Sequence, residues 1–333
     1  MALPFPPAVR LGDSLEVDPP LWLAPMEGVT DPSFRGMVLD ENPGAVGAAC
    51  TEFVRVTDHP APARFLVEAL GPARSDAAVG LQLMGNHPEA VAASAVRAAE
   101  AGAAFLDLNF GCPAPRVFQH CAGSALLADP PLLESMVRAT VEACPVPVTA
   151  KIRSGIEDDA GIEDIARRVE QAGASALAIH ARLKTDRYTD PSRWQRISRA
   201  VAAVHIPVIG NGSAHKPQDI QAMFQDTGCA GVMVARGALQ NPWVFSDWSA
   251  LIRGESPPER GAPEAVDWLA RYRVHMEAGG ARPGQALGRL KQSAKAMAYA
   301  GLFARELVDP ALRLKEGDAF LAALGGLAAL PDG

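Results

Sequence analysis

Eight short apolar runs recur along the chain at the spacing of one strand plus one helix. They are LWLAPM (21–26), GAACTEFV (47–54), AVGLQLMG (78–85), FLDLNFG (105–111), VPVTAKIR (146–153), ALAIHAR (176–182), IPVIGNG (206–212) and GVMVARG (231–237). Most are nearly continuous in apolar residues, the pattern of a parallel strand covered on both faces. The stretches between them are Ala-rich and amphipathic, as at 88–103 and 162–174. Several close in Ala-Gly-Ala, a helix-ending glycine before the next strand. Eight such units predict a closed (β/α)8 TIM barrel in the α/β class. A doubly wound sheet fits less well, because no G-x-G-x-x-G follows the first run.

Past Trp248 the strand pattern stops. Residues 252–265 mix prolines with charges and read as a linker, and helical periodicity then returns without strands at 265–279 and 284–302. The expected organisation is a barrel at 15–250 followed by a small C-terminal helical domain at 255–330.

Composition narrows the setting. No run of about eighteen apolar residues occurs, so a membrane-spanning helix is not expected. The first twenty residues lack a basic stretch followed by an apolar one, so no secretory signal is expected. Five cysteines, with no C-x-x-C pair, argue against a disulfide framework or a zinc site and for a cytoplasmic protein. No acid and histidine cluster has ligand spacing, so no metal is expected.

Charge changes the picture more. The net charge of −7 speaks against a nucleic-acid partner until its distribution is read. Between Ala270 and Arg305 there are seven Lys or Arg against one acid, Glu277, so that segment carries +6 and the rest −13. A basic segment on an acidic body is a footprint for a polyanion. The plainer alternative is a solvated helix face.

In this barrel class chemistry gathers where strands end. Those ends carry Pro25, Met26 and Glu27, then Thr51, Glu52 and Arg55, Gln82, Asn109, Cys112, Lys151, Arg153, His180, Arg182, Asn211, Gly212, Arg236 and Gly237. Gln82 and Asn109 can read a ring that offers both donors and acceptors. Lys151 can place a fixed charge beside an electron-rich ligand, or pair with Asp107 or Glu52. His180 can donate to a carbonyl as a neutral ring, or be a satisfied core histidine. Glycines after the last two strands, with Arg236, suit a phosphate. The set suggests a flavin mononucleotide (FMN) across the barrel mouth. Cys112 would then lie over its ring, placed to give a proton to a carbon. Cys121 reads as a loop or helix-start residue packed against the barrel.

LAPMEGVTDPSFR (23–35), TEFVR (51–55), LQLMG (81–85), DLNFGCPAPRV (107–117), GSALL (123–127), KIRSG (151–155), IHAR (179–182), VIGNG (208–212) and VARGALQNPW (234–243) together resemble the tRNA-dihydrouridine synthases. The resemblance implies an FMN-dependent TIM-barrel enzyme whose helical domain helps hold tRNA. It implies NADPH as reductant and reduction of a uracil C5–C6 bond, with hydride from FMN N5 to C6 and a proton from Cys112 to C5. Asn109 falls where the family orients the uracil. Pro25, Met26, Gln82, Lys151, His180, Asn211, Gly212, Arg236 and Gly237 fall where it binds FMN. TEFVRV (51–56) and GRLKQ (288–292) resemble the bacterial subfamily acting on U16, which brings in Glu52, Arg55, Arg289, Lys291 and Lys295 as substrate contacts. Lys291, Lys295 and Tyr299 share one helix face by their spacing, with Arg289 two positions off it. Leu183 stands where the family often has Thr, and the loop after Cys112 has one basic residue where relatives often have more. The expected partner is tRNA, with no DNA, no membrane and a monomeric chain. A flavin reductase of free small molecules and a tRNA-binding chaperone are the competing readings.

Overall fold

The computed structural model describes residues 5–187 and 189–326, so the last positions of the expected helical segment (327–330) lie outside the described residues, as do the first four of the N-terminal stretch. A hairpin of β1 (Val9–Leu11) and β2 (Leu15–Val17) precedes the sheet. The sheet then runs β3 (Leu21–Leu23), β4 (Ala48–Cys50), β5 (Val54–Arg55), β6 (Ala78–Met84), β7 (Leu106–Phe110), β8 (Val148–Arg153), β9 (Ala176–His180), β10 (Val208–Asn211) and β11 (Gly231–Val234). β11 pairs with β3 and β4 pairs with β6, all parallel, which closes eight strands into a ring. β5 is a short addition beside the far end of β6. Each of the eight apolar runs therefore yields one barrel strand, and the (β/α)8 expectation holds.

The helices in order are α1 (Pro32–Glu41), α2 (Ala63–Leu70), α3 (Pro88–Glu100), α4 (Pro115–Gln119), α5 (Pro130–Ala143), α6 (Ile162–Gln171), α7 (Gln195–Ala203), α8 (Pro217–Thr227), α9 (Arg236–Gln240) and α10 (Val244–Arg253). Four more follow: α11 (Ala262–Ala278), α12 (Pro283–Tyr299), α13 (Arg305–Ala311) and α14 (Gly317–Leu324). Local chemistry sets their ends. Asp31 accepts from Phe34 N at 2.9 Å with Pro32 opening α1, and Asp129 does the same for Leu132 N before Pro130 of α5. These side chains satisfy amides that the first turn leaves without partners.

Strand parity separates two cores. Leu21, Leu23, Leu81, Leu83, Leu106, Leu108, Ile152, Leu177 and Ile179 point outward into the layer beneath the helices. Trp22, Cys50, Ala176, Ala178, Ile209 and Met233 point at the axis, where Phe105, just before β7, joins them. The N-terminal hairpin, which the hydrophobic pattern does not reveal, inserts Val9, Leu11 and Val17 into that inner cluster and closes the barrel floor. Gly80 keeps the interior open for the Phe105 ring, which a Cβ there would meet.

The C-terminal helices are fastened by an aromatic cluster. Phe34 of α1 meets Trp268 and Tyr272 of α11 edge-on, with ring centroids 6.0 and 5.9 Å apart. All three are buried. Cys121 departs from expectation. It lies on the turn after α4 at φ 51°, and its side chain is exposed rather than packed against the barrel.

If the hairpin is a structural plug, Leu11→Ala should cost about 2–5 kcal/mol of stability. Chemical denaturation measures this, and a loss under about 0.5 kcal/mol would show that the floor does not depend on Leu11.

Candidate active site at the barrel mouth

A cavity of about 320 Å³ opens at the C-terminal ends of the strands. Its lining brings together Pro25, Met26, Gln82, Asn109, Cys112, Lys151, His180, Asn211, Gly212 and Arg236 from seven different strand ends. Glu27, Phe53, Arg153, Arg182 and His215 also line it. Gly237 sits one residue behind Arg236, pressed against the Ala214 carbonyl. Glu52, Arg55, Arg289, Lys291 and Lys295 lie outside this lining.

Cys112 is held by its backbone. Asn109 Oδ1 accepts from Gly111 N at 3.0 Å and Cys112 N at 2.9 Å. Arg153 Nε donates to the Gly111 carbonyl at 2.8 Å, and Ser124 N to the Cys112 carbonyl at 3.1 Å. Gly123 has φ 59°, and a Cβ there would stand 2.9 Å from the Cys112 oxygen. A residue with a side chain would therefore clash with the turn and strain the backbone together. The thiol is half-buried. Burial raises its pKa, the Ala114 backbone and the cations Arg153 and Lys151 oppose that rise, and Glu27 adds to it.

Below the turn the polar side chains satisfy one another. Gln82 donates through Nε2 to Asp107 at 2.6 Å and accepts at Oε1 from Asn109 Nδ2 at 2.7 Å. The two amides expected to read a ring are thus already linked, and Asn109 keeps one N–H for a ligand. Lys151 Nζ lies 3.4 Å from Asn211 Oδ1, and it reaches Asp107 through space rather than in a direct ion pair. Enclosure in the barrel lowers the Lys151 pKa to about 8, with Asp107 working against that shift. Burial lifts Asp107 to about 6, and its Gln82 and Thr149 hydrogen bonds and Lys151 hold it from rising further. His180 is kept neutral, first by burial and then by Lys151, Arg153, Arg182 and Arg236.

One wall is built to take an anion. Gly212 and Ser213 both have positive φ, 119° and 59°. Among the described residues, the backbone N–H groups of Gly212, Ser213 and Ala214 find no acceptor. These amides present unspent backbone donors to the cavity, and Arg236 lines it beside them. No group of three or more His, Cys, Asp or Glu among the described residues could hold a metal ion.

Residues 22–296 match the dihydrouridine synthase family. The chain belongs to that family. It is thereby an oxidoreductase. A tRNA-dihydrouridine(16) synthase of Cupriavidus necator is 37% identical over 266 residues, 78% of this chain and 82% of that protein. One of Shewanella oneidensis is 40% identical over 228 residues, covering 66% and 72%. A tRNA-dihydrouridine synthase B of Pseudomonas aeruginosa is 35% identical over 260 residues, covering 77% of each. Histamine dehydrogenase from Rhizobium sp. 4-9 superposes with a TM-score of 0.59 at 12% identity, over 81% of this chain and 51% of that one, which speaks to the barrel fold alone.

In this dihydrouridine synthase family member a side chain of the C-terminal helices reaches toward the rim of the mouth. Arg289 of α12 lies 3.7 Å from Asp31 and 4.0 Å from Glu52, and Glu52 also accepts from Val29 N at 2.9 Å. Lys295 and Tyr299 are exposed further along α12, Tyr299 63% so, with Arg305 stacked 4.8 Å above its ring. Tyr299 is not packed beneath the helix. The +6 segment is also more neutral than its sequence suggests. Arg271 pairs with Glu41 and Asp267, and Arg273 with Asp318. These carboxylates come from outside the segment, so counting charge along the sequence overstates it. Glu27 carries no assigned role in the sequence reading, and Asp107 enters it only as a possible partner of Lys151. Asp107 shares strand parity with Asn109, which is the signal that places it inside the barrel.

The Cys112 thiol should titrate above the ordinary value of about 8.5. The pH dependence of its alkylation by iodoacetamide, followed by the mass of its peptide, measures this. A midpoint below the ordinary value would mean that the neighbouring cations outweigh burial.

Proposed function

We propose that the enzyme reduces the C5–C6 bond of a uridine in the D-loop of tRNA, with FMN held at the barrel mouth and NADPH as reductant. The observation that carries this reading is a half-buried thiol, raised in pKa, beside an enclosed Lys151, a neutral His180 and a wall of unspent backbone donors. FMN suits those features. Arg236 and the amides of Gly212–Ala214 would take its phosphate, and Pro25, Met26, Gln82, Lys151, His180 and Asn211 would border its ring. When bound, FMN supplies the hydride that reaches uracil C6.

The chain's own residues do the rest. Cys112 keeps its proton at neutral pH and gives it to C5, which balances the hydride and leaves a thiolate to be reprotonated from water. Lys151 remains mostly protonated at pH 7 and fixes positive charge in the cavity. His180, being neutral, can donate one hydrogen bond without adding charge. Asn109 can offer its remaining N–H to a uracil carbonyl. Arg289 and Glu52, at the rim outside the cavity lining, would contact the base or its sugar, and Arg55 is exposed nearby in sequence. The base must leave its stack to enter, which costs least in a loop. Lys291, Lys295 and the Tyr299–Arg305 pair offer charge and a stacking face to the tRNA backbone and an unpaired base.

For the uridine, U16 is the favoured position, supported by relatives named for position 16 at 37% and 40% identity. The decisive measurement is mass mapping of dihydrouridine in tRNA from a deletion strain with and without this gene. Dihydrouridine restored at position 16 supports the full reading, and restoration elsewhere moves the position only. No change in any tRNA uridine would favour a small-molecule substrate.

Cys112→Ala should retain bound flavin and its reduction by NADPH while turnover of tRNA falls about 10²–10⁴-fold. Unchanged turnover would remove Cys112 from the acid role. Replacing Lys291 and Lys295 together with Ala should raise the KM for tRNA and flatten its dependence on salt. A KM and salt slope equal to wild type would mean that tRNA approaches another face.

A further inference from the structure

The Cys112 turn stands at the top of a buried polar chain whose foot is Asp107. Thr149 Oγ1 donates to Asp107 Oδ1 at 2.7 Å, and Gln82 Nε2 donates to Asp107 Oδ2 at 2.6 Å. Gln82 Oε1 accepts from Asn109 Nδ2 at 2.7 Å, and Asn109 Oδ1 accepts from the Gly111 and Cys112 amides. Asp107 is 1% exposed. Beneath it the barrel interior leaves a void of only about 10 Å³, at the lower limit for a single water. Its carboxylate must therefore be satisfied within this chain.

Two linked amides can in principle point either way along such a chain. Here both ends choose the same direction. The ionised carboxylate at the foot only accepts, so it requires Nε2 of Gln82 and sends Oε1 toward Asn109. The two backbone N–H groups at the top only donate, so they require Oδ1 of Asn109. Reversal would set Gln82 oxygen against carboxylate and Asn109 nitrogen against two N–H groups. Register supports the arrangement. Asp107 lies opposite Gln82 on β6 and Thr149 on β8, and Asn109 lies two residues further up the same inward face of β7. Lys151, opposite Asn109, adds a favourable charge across the interior without occupying an acceptor of the carboxylate.

We infer that Asp107 is a positioning residue for the reaction: an acceptor-only group that sets the polarity of Gln82 and Asn109 and so holds the Cys112 turn in its reactive place. This rests on reading Cys112 as the proton donor. Asp107 touches neither substrate nor cofactor and acts only through the two amides.

The test uses the full flavin-loaded chain and compares Asp107→Ala with Asp107→Asn. In the alanine variant Gln82 loses the group that orients it. The expected result is a kcat for tRNA reduced about 10–100-fold, since small misplacements of a reacting group cost that much. The KM and flavin content should stay within about twofold of wild type, and iodoacetamide should alkylate Cys112 several-fold faster as the turn loosens. Asparagine can accept from Gln82 with Oδ1 and donate to Thr149 Oγ1, whose hydroxyl is then free for the Leu106 carbonyl 3.3 Å away. Asp107→Asn should therefore restore most of kcat and the slow alkylation. If Asp107→Ala does not fold, Asp107→Ser, too short to reach Gln82, replaces it with the same expectations.

A folded Ala or Ser variant with wild-type kcat and alkylation overturns the inference. So does a loss that tracks flavin release or unfolding and that Asp107→Asn does not rescue. Cys112→Ala measured alongside separates the two readings. Turnover that survives it removes the proton-donor role itself, whereas a dead Cys112→Ala beside an active Asp107→Ala removes only the role of Asp107.

Discussion

In a closed barrel every second residue of a strand faces the axis, and below the mouth the void on that axis, about 10 Å³, has room for one water at most. A polar group placed there must be answered by another polar group, because an unanswered one costs about 1–3 kcal/mol. β7 carries two such groups in succession, Asp107 and Asn109, and the interior around them is organised to meet the demand. Gln82 and Thr149 come from the strands on either side, and Gly111 and Cys112 supply amides above. The apolar floor, sealed by Leu11 and Phe105, makes this network obligatory rather than optional. The place of Cys112 follows from barrel closure as much as from its own loop.

Much of this was legible in the chain. Eight apolar runs gave eight barrel strands, because strands buried on both faces must be apolar and are short enough to be bounded by glycine and proline. The residues expected at the mouth arrive there for the same reason: a strand end in a parallel barrel has one possible location. What stayed hidden depended on contacts between distant segments. The hairpin at 9–17 has three-residue strands, too short for periodicity to announce, and its apolar residues find meaning only against Trp22 and Phe105. Gln82 and Asn109 read in sequence as two independent amides free for a ligand. Only the register of β6 against β7 shows that they bond to each other. Cys121 was misread because a positive-φ turn after α4 directs its side chain outward, and φ is not written in composition.

The charge of the C-terminal helices shows the same limit from the other side. Seven basic residues against one acid suggest a strong polyanion site, yet three of the arginines are answered by carboxylates distant in sequence: Glu41, Asp318, and Asp31 with Glu52. Exposed pairs of this kind contribute little stability, usually under about 1 kcal/mol, but they cancel local field all the same. The remaining attraction rests on fewer groups, and it is paired with an exposed, arginine-stacked Tyr299. Arg289 differs from the others because its partners stand at the mouth. It joins the surface that would meet a polyanion to the rim of the cavity that holds the thiol, whereas Arg271 meets the acidic body at Glu41, on α1.

The thiol itself sits between opposed influences, and their order matters for chemistry. Lys151 and Arg153 would acidify Cys112 if they acted alone, and a thiolate could not serve as a proton donor. Burial acts first and in the other direction, with Glu27 reinforcing it. The cations are placed so that they charge the cavity without stripping the thiol. Arg153 spends its Nε and one terminal nitrogen on the Gly111 and Leu183 carbonyls, and Lys151 leans toward Asn211. Asp107, below both, offsets part of the Lys151 charge while keeping that lysine protonated near neutral pH. A site that needs both a fixed positive charge and a protonated thiol within one small cavity can have both only if the field of the first is contained. Burial and Glu27 do this at the thiol, while the buried carboxylate beneath Asn109 offsets charge at Lys151.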